Sequence, residues 1–376
     1  MSATLAESLI IRRGSAAVDQ DVAIEASLKS RGLLDAACDD DDAVPVIDLS
    51  SGTQEEIIAR LWDASTRVGF FSLKGHGISG ELIDRAFSNS ADFFGQPLEE
   101  KRKQSPLDMS INCGFEHYEQ VRPSTGVADQ KESLQVTARE GGMDGRWPKI
   151  RGKDSNDNND EFETTAKELL VEANKLAGKL LDLLQPMACP HIDAAKEPQK
   201  LSGSHTLWST DGQCTLRFLH YPSQASETTV ALLNEGYWRA GPHTDWCNLT
   251  LLFQRPGPGQ AGLECCANPR NSGHNNNNGL GAPKQSLRWT RVDPIEGAVA
   301  VNIGDMLARW SDERVYSNLH RVRLPSDAST ARYSIAFFAQ SDKSTLMETK
   351  NSEAITAGDY ILGRIRSNFA AEKQPN

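Results

Sequence analysis

Two histidines and one aspartate carry the clearest chemistry in this chain of 376 residues. His243 and Asp245 stand two residues apart, and His320 follows 77 residues after His243. Side chains two residues apart project to the same side of a strand, so His243 and Asp245 are predicted to share one face. Two imidazoles and one carboxylate, with further positions open, form the ligand set with which non-haem enzymes bind Fe(II). The triad therefore predicts an iron site whose third ligand comes from a distant strand at 319–323.

A second pair of residues with the same spacing is suited to holding a carboxylate. Arg332 and Ser334 lie in the largely apolar, strand-like segment 331–338. A guanidinium grips a carboxylate with two parallel hydrogen bonds, and a serine hydroxyl can donate a third. Activation of O2 at Fe(II) needs electrons, and the usual donor is 2-oxoglutarate, whose distal carboxylate requires such a clamp. Each triplet alone is more often structural or solvent-facing, but the combination in this order favours an oxygenase.

Motifs along most of the chain resemble the isopenicillin N synthase-like branch of the Fe(II)/2-oxoglutarate-dependent dioxygenases. They stand in the order of that family between about residues 44 and 340. They comprise an opening strand at 44–49, "GFF…HGI" at 69–78, "FF-x-LP-x-E-x-K" at 93–101, "D-x-KE-x-F" at 129–133, "LR-x-x-x-YP" at 216–222 and "V-N-x-GD-x-L" at 301–307. The match is specific for the family and says little about the substrate.

The resemblance implies roles for the residues already singled out. His243, Asp245 and His320 would be the catalytic metal ligands, and Arg332 and Ser334 would bind the distal carboxylate of the cosubstrate. The implied cofactor is Fe(II), with 2-oxoglutarate and O2 as cosubstrates and ascorbate as a candidate stimulant.

Further candidates border the predicted pocket. The resemblance also implies that the hydroxyl of Tyr221 helps to hold 2-oxoglutarate, and packing inside the barrel is an equally weighted role for this residue. Many members carry Asn two residues before that tyrosine, where this chain has Leu219, so a polar contact is predicted to be missing. Candidate substrate-facing residues, each equally compatible with ordinary packing, are Phe115, His117, Tyr118, Phe338 and Gln340.

The expected fold is α+β, with a double-stranded β-helix (jelly-roll) core and flanking helices. Helical periodicity predicts helices at 54–68 and 81–94, and a long one at 161–184 in the N-terminal half. Short strands between turns are predicted from residue 212 onward, at 214–221, 249–253, 262–265, 287–291, 298–302, 318–323 and 332–339.

Four segments are predicted along the chain. They are a flexible or partly helical N-terminal extension at 1–42, a mixed helix and strand part of the oxygenase domain at 43–200, the jelly-roll catalytic core at 201–345 and a C-terminal helical tail at 346–376. An Asn-rich insertion of disordered type is predicted at 268–285 inside the core, and its His274 is expected to be an exposed loop histidine.

Composition limits the classes of binding partner and the cellular location that are expected for the protein. A net charge of −11 and a pI of about 5.3 argue against a nucleic-acid surface, and no apolar stretch approaches the ~20 residues that span a bilayer. Seven cysteines in a long chain whose first residues lack a secretory signal predict reduced thiols and a cytoplasmic location. The predicted partner is a small molecule, and the oligomeric state is left open.

The predicted reaction is oxidation of an unactivated C–H bond of a small organic molecule by hydroxylation, desaturation or ring closure, in secondary metabolism. A rival hypothesis is an isopenicillin N synthase-type Fe(II) oxidase that uses O2 without 2-oxoglutarate, in which Arg332 and Ser334 hold a substrate carboxylate. Two weaker hypotheses are a non-catalytic binding protein that keeps the barrel, and a zinc site, in which the clamp has no role.

Overall fold

Strands from both halves of the chain build two main sheets. The structure, a computed structural model, describes residues 44–121, 127–150, 161–193, 195–234, 237–266, 289–325 and 328–370. The larger sheet has eight strands in the order β1-β2-β10-β7-β12-β5-β4-β3, and the smaller has four in the order β6-β11-β8-β9. The strands are β1 Val46–Asp48, β2 Phe70–Lys74, β3 Gly114–His117, β4 Glu132–Thr137, β5 Thr215–Tyr221, β6 Ala240–His243, β7 Leu249–Gln254, β8 Leu263–Cys266, β9 Trp289–Arg291, β10 Val299–Ile303, β11 His320–Val322, β12 Arg332–Ala339, β13 Leu346–Met347 and β14 Ile355–Thr356.

Helices pack on one face of the larger sheet and bury the main core. The first helix is capped by Thr53, whose side chain forms a reciprocal capping box with Glu56. A continuous cluster of buried apolar residues joins the helices to the core-facing residues of strands β5, β7, β10 and β12. The helices are α1 Gln54–Arg67, α2 Gly80–Phe94, α3 Leu98–Gln104, α4 Glu161–Ala188, α5 Ser226–Asn234, α6 Asp305–Trp310 and α7 Ala357–Ala370. Within the described residues, no helix combines the length and the apolar character needed to traverse a bilayer.

The opposite face of the larger sheet carries the polar residues. On β12, Ile335 and Phe337 enter the core, whereas Arg332 and Ser334 point into a pocket between the two sheets. This division follows from the two-residue period of a strand. A segment with apolar residues on its core side can therefore present a guanidinium and a hydroxyl on its other side.

The predicted fold class, α+β with a jelly-roll core and flanking helices, is confirmed. The predicted long helix is present as Glu161–Ala188 and continues past Pro186. The tail differs from the prediction, because the two-stranded ribbon β13–β14 precedes helix α7. The predicted extension at 1–42 and the insertion at 268–285 lie outside the described residues, and the division of the chain into four segments stays a prediction.

Candidate active site

Three potential metal ligands converge where strands β6 and β11 of the smaller sheet are paired. His243 ends β6 and His320 begins β11, and the two residues are paired by the antiparallel register. Nε2 of His243 lies 3.8 Å from Oδ1 of Asp245, and Nε2 of His320 lies 3.7 Å from Oδ2 of the same carboxylate. One ligand atom from each residue lies within 4.8 Å of the others, which suits a single bound ion. In the described part of the chain, this is the one cluster of His, Cys, Asp or Glu found with such geometry.

The prediction that His243 and Asp245 share a strand face is wrong in one respect. Strand β6 ends at His243, and Asp245 lies in the following turn. The turn carries the carboxylate to the histidines, because the backbone N–H of Asp305 donates to the carbonyl of Asp245 at 2.7 Å. Gly304 permits this close approach, since a Cβ there would collide with the carbonyl of Cys247.

Backbone carbonyls orient both histidine rings. Nδ1 of His243 lies 2.7 Å from the carbonyl oxygen of Gly241, and Nδ1 of His320 lies 3.1 Å from that of Asn318. A carbonyl only accepts, so each Nδ1 must carry the hydrogen. In the neutral ring, Nε2 then holds the lone pair and faces the carboxylate, as a metal-binding histidine requires.

The carboxylate of Asp245 is also held in place. Its Oδ2 accepts hydrogen bonds from Oγ1 of Thr250 at 2.6 Å and from Nδ2 of Asn302 at 2.9 Å. Both donors come from paired strands of the larger sheet, in which Asn302 stands opposite Thr250. Two nitrogens and one oriented carboxylate fit Fe(II), with coordination positions left for other oxygen ligands.

Arg332 is fixed in the wall of the same pocket. Its Nε donates to the carbonyl of Gln260 at 2.9 Å, its Nη2 to Oε1 of Gln254 at 2.9 Å and its Nη1 to Oγ of Ser334 at 3.3 Å. Arg332 and Ser334 are both 1% exposed. Burial lowers the pKa of Arg332, and Tyr221 partly offsets this effect. Burial deprives the charged guanidinium of its hydration, and a carboxylate bound here would compensate its positive charge.

Tyr221 lies against two guanidinium groups. It is paired with Arg332 across the β5–β12 ladder, and the guanidinium carbon of Arg332 is 4.9 Å from the centroid of its ring. The guanidinium carbon of Arg239 is 5.7 Å from the same centroid. Burial, and then repulsion by Arg332, lowers the pKa of Arg239 to about 10. Sequence reasoning missed Arg239, because nothing in its local sequence marks it.

The pocket joins the triad to the clamp and has further walls. His243, Asp245, His320, Arg332, Ser334 and Tyr221 all line it. Leu219 also lines it and stands opposite Ser334, so the wall is apolar where many family members carry Asn. Among the residues proposed to face the substrate, Phe338 lines the described part of the pocket. Phe115 lies instead in the core, and Nε2 of His117 is 3.4 Å from Oε1 of the buried Glu132.

Several pocket residues were not singled out by the sequence. Lys131 lines the pocket and Nζ of Lys131 lies 2.5 Å from Oδ2 of Asp129, while Arg217 lines it beside Phe338. Lys131, Arg217 and Asn302 all belong to motifs that resemble the family, and that membership was the available signal. Cys247 lies beside the triad but is fully buried, and burial raises the pKa of its thiol, which disfavours the thiolate form that binds metals.

Comparisons with known proteins agree with this geometry. Residues 212–341 match the 2OG-Fe(II) oxygenase superfamily, and residues 44–156 match the N-terminal region described for the non-haem dioxygenase in morphine synthesis. A UPF0676 protein of Schizosaccharomyces pombe is 31% identical over 351 residues, which cover 88% of this chain and 94% of the relative. The 2-oxoglutarate-dependent dioxygenase caaD of Aspergillus niger is 26% identical over 341 residues, covering 87% and 92% of the two chains.

A solved structure shows the same fold. A full-length protein of Neurospora crassa, crystallised in complex with alpha-KG, aligns with a TM-score of 0.69 and 26% identity, over 89% of this chain and 99% of that chain. The superfamily match confirms the predicted enzyme class and its dependence on Fe(II) and 2-oxoglutarate. The chain belongs to the 2OG-Fe(II) oxygenase superfamily, in the isopenicillin N synthase-like branch that its motifs resemble.

Proposed function

We propose that His243, Asp245 and His320 bind Fe(II), and that Arg332 and Ser334 hold the distal carboxylate of 2-oxoglutarate. The observation that carries this proposal is that one pocket is lined by both groups, the proposed ligands from β6, β11 and the turn after β6, and the clamp from the larger sheet. The keto-acid end of the cosubstrate would chelate an ion held by the triad, while the buried guanidinium of Arg332 would bind its other end.

The residues of the chain then have separate tasks. The triad holds the ion on one side, and Thr250 and Asn302 fix the carboxylate of Asp245. Bound Fe(II) and 2-oxoglutarate supply the oxidation of an unactivated C–H bond by O2. The protein supplies placement and the exclusion of water. We assign Tyr221 to packing against Arg332 and Arg239, which supports the clamp from the side.

The substrate in this proposal is a small organic molecule. The net charge of −11 supports a small molecule over a nucleic acid. The six cysteines of the described residues are all buried and show no disulfide between them, which supports the proposed cytoplasmic location. A role in secondary metabolism stays a prediction.

Replacement of Arg332 by lysine tests the proposal. Lysine keeps the positive charge but lacks the planar two-pronged donor, so the KM for 2-oxoglutarate should rise. Charge-assisted hydrogen bonds worth roughly 1.5–3 kcal/mol correspond to an increase of about ten- to a hundredfold. Untargeted comparison of metabolites with and without the enzyme would identify a substrate, and succinate release would then measure the KM.

Two controls frame that measurement. His243→Ala should lose turnover while the protein stays folded, and His191→Ala, outside the pocket-lining set, should retain it. The KM for the organic substrate should change much less than that for 2-oxoglutarate. Turnover of Arg332→Lys with an unchanged 2-oxoglutarate requirement, or without any 2-oxoglutarate, would instead favour the oxidase in which Arg332 holds a substrate carboxylate.

A further inference from the structure

A buried arginine from the C-terminal helix reaches the turn that carries the metal ligands. Helix α7 follows the ribbon β13–β14, and its residues Tyr360 and Ile361 join the main core. One turn later stands Arg364, which is 2% exposed. Its Nη2 donates to Oδ2 of Asp305 at 2.9 Å and to Oγ1 of Thr244 at 3.4 Å. Thr244 lies between the two ligands His243 and Asp245.

Asp305 connects this arginine to the ligand turn by two further contacts. Oγ1 of Thr244 donates to Oδ2 of Asp305 at 2.8 Å, and the backbone N–H of Asp305 donates to the carbonyl of Asp245 at 2.7 Å. Oδ1 of Asp305 accepts from Oγ of Ser317 at 2.5 Å. The carboxylate is therefore hydrogen-bonded on both oxygens, and its position fixes the backbone of the turn.

The negative charge of the buried Asp305 requires a cation beside it, and Arg364 is placed to provide one. Asp305 is 3% exposed, and a buried carboxylate without a compensating cation is strongly unfavourable. Arg364 supplies that cation, and its guanidinium carbon also lies 5.4 Å from the ring centroid of Trp246, the residue after Asp245. One side chain thus contacts Thr244, Asp305 and the ring of Trp246. Arg364 is absent from the described pocket lining, so it does not reach the position of the cosubstrate.

We propose that Arg364 is a positioning residue that couples the docking of helix α7 to the affinity of the iron site. This inference rests on the proposed function of the triad. The docked helix holds the guanidinium against Asp305 and Thr244, and these hold the backbone of the turn from which Asp245 presents its carboxylate to the two imidazoles. The C-terminal helix is then part of the metal site, although it contributes no ligand.

The test is metal affinity measured separately from folding. Co(II) alone is titrated into wild-type protein and Arg364→Met, at a temperature where circular dichroism shows both to be folded. Loss of a hydrogen bond made directly to a ligand commonly weakens metal binding by about 10- to 100-fold. Arg364 acts one contact further out, through Asp305 and Thr244, so we expect the Kd for Co(II) to rise by about tenfold, the lower end of that range. Leu362→Ala, on the same helix at a residue 46% exposed, is the matched control and should leave the Kd unchanged.

A conservative variant keeps the test decisive if Arg364→Met does not fold. Arg364→Lys keeps a positive charge beside Asp305 but replaces the planar guanidinium, with its several donors, by a single ammonium group. The Kd of this variant for Co(II) should rise by at least about threefold. A merely structural arginine would lower the thermal midpoint and leave the Kd of the folded protein within about twofold of wild type, which overturns the inference. His243→Ala separates the two proposals, because retained Co(II) binding there would overturn the triad itself.

Discussion

At the scale of single residues, the site depends on atoms that are not themselves ligands. The two Nδ1 atoms donate to backbone carbonyls, so the orientation of each imidazole is set by the chain and not by the metal. The carboxylate of Asp245 receives two side-chain donors on one oxygen, which leaves Oδ1, 3.8 Å from Nε2 of His243, to face the ion. The three proposed ligands are thus preorganised for a metal ion.

Thr250→Val tests this preorganisation. Valine keeps the shape of threonine but removes the hydroxyl that donates to Asp245 at 2.6 Å. We expect the affinity for Fe(II) to fall by about tenfold or more, with the fold intact. Anaerobic calorimetric titration of Fe(II) measures the effect. Thr215→Val is the control, because the hydroxyl of Thr215 is buried with no hydrogen-bond partner in the described structure. Equal affinities in both variants would refute the assigned role of Thr250.

The six site residues could be proposed from the sequence, but the roles of the residues that hold them in place could not. His243, Asp245 and His320 combine residue types and spacing that few other sites use. The roles of Thr250, Asn302 and Arg239 depend on strand register and on loops that bring distant segments together. Register is set by tertiary packing, and no short pattern in one sequence records it.

At the scale of elements, a buried histidine links three segments near the start of β7. Nε2 of His205 lies 2.9 Å from Nδ2 of Asn248, and that same Nδ2 also donates to Oγ of Ser341 at 2.8 Å. Because the ring is buried, desolvation lowers the pKa of His205 from 6.5 to about 4. The neutral ring is therefore the form that the folded protein accepts.

This pKa predicts a loss of stability in mild acid. Between about pH 6.5 and 4 the unfolded chain takes up a proton at His205 and the folded protein does not, so the free energy of unfolding falls as pH falls. At about 1.36 kcal/mol per pKa unit the full effect is about 3 kcal/mol. Urea unfolding of the metal-free protein at several pH values measures it. His205→Gln should flatten the slope in this window, and an unchanged slope in that variant would refute the role of His205.

The predicted elements differ from the observed ones for a physical reason. Amphipathic helices such as Glu161–Ala188 were recognisable, because one face packs on the sheet and the other meets solvent. Strand β4, Glu132–Thr137, was not predicted, although its residues alternate, with Leu134 and Val136 in the core and polar residues between them. A segment of six residues with two apolar side chains is too short and too polar to be distinguished from a loop by its pattern alone.

At the scale of the whole molecule, the site is divided between two sheets. The larger sheet, which packs against the helices, carries Arg332 and Ser334, and the neighbouring strands β6 and β11 of the smaller sheet carry His243 and His320. Asp245 is tied to both, through its own turn and through Thr250 and Asn302. The relative placement of the sheets therefore determines the distance between metal and clamp.

If Arg332 holds the cosubstrate as proposed, this distance makes the protein selective for the length of the keto acid. A keto acid that is chelated at one end and gripped by Arg332 at the other must have the matching number of methylenes. Oxaloacetate is one methylene shorter than 2-oxoglutarate and 2-oxoadipate is one longer, so each should lose the grip of the guanidinium. We expect their KM values, measured by oxidation of the organic substrate, to exceed that of 2-oxoglutarate by at least about tenfold. Equal KM values for all three acids would mean that the distance between metal site and Arg332 adapts to each acid, and the spacing of the two sheets would then not select the cosubstrate.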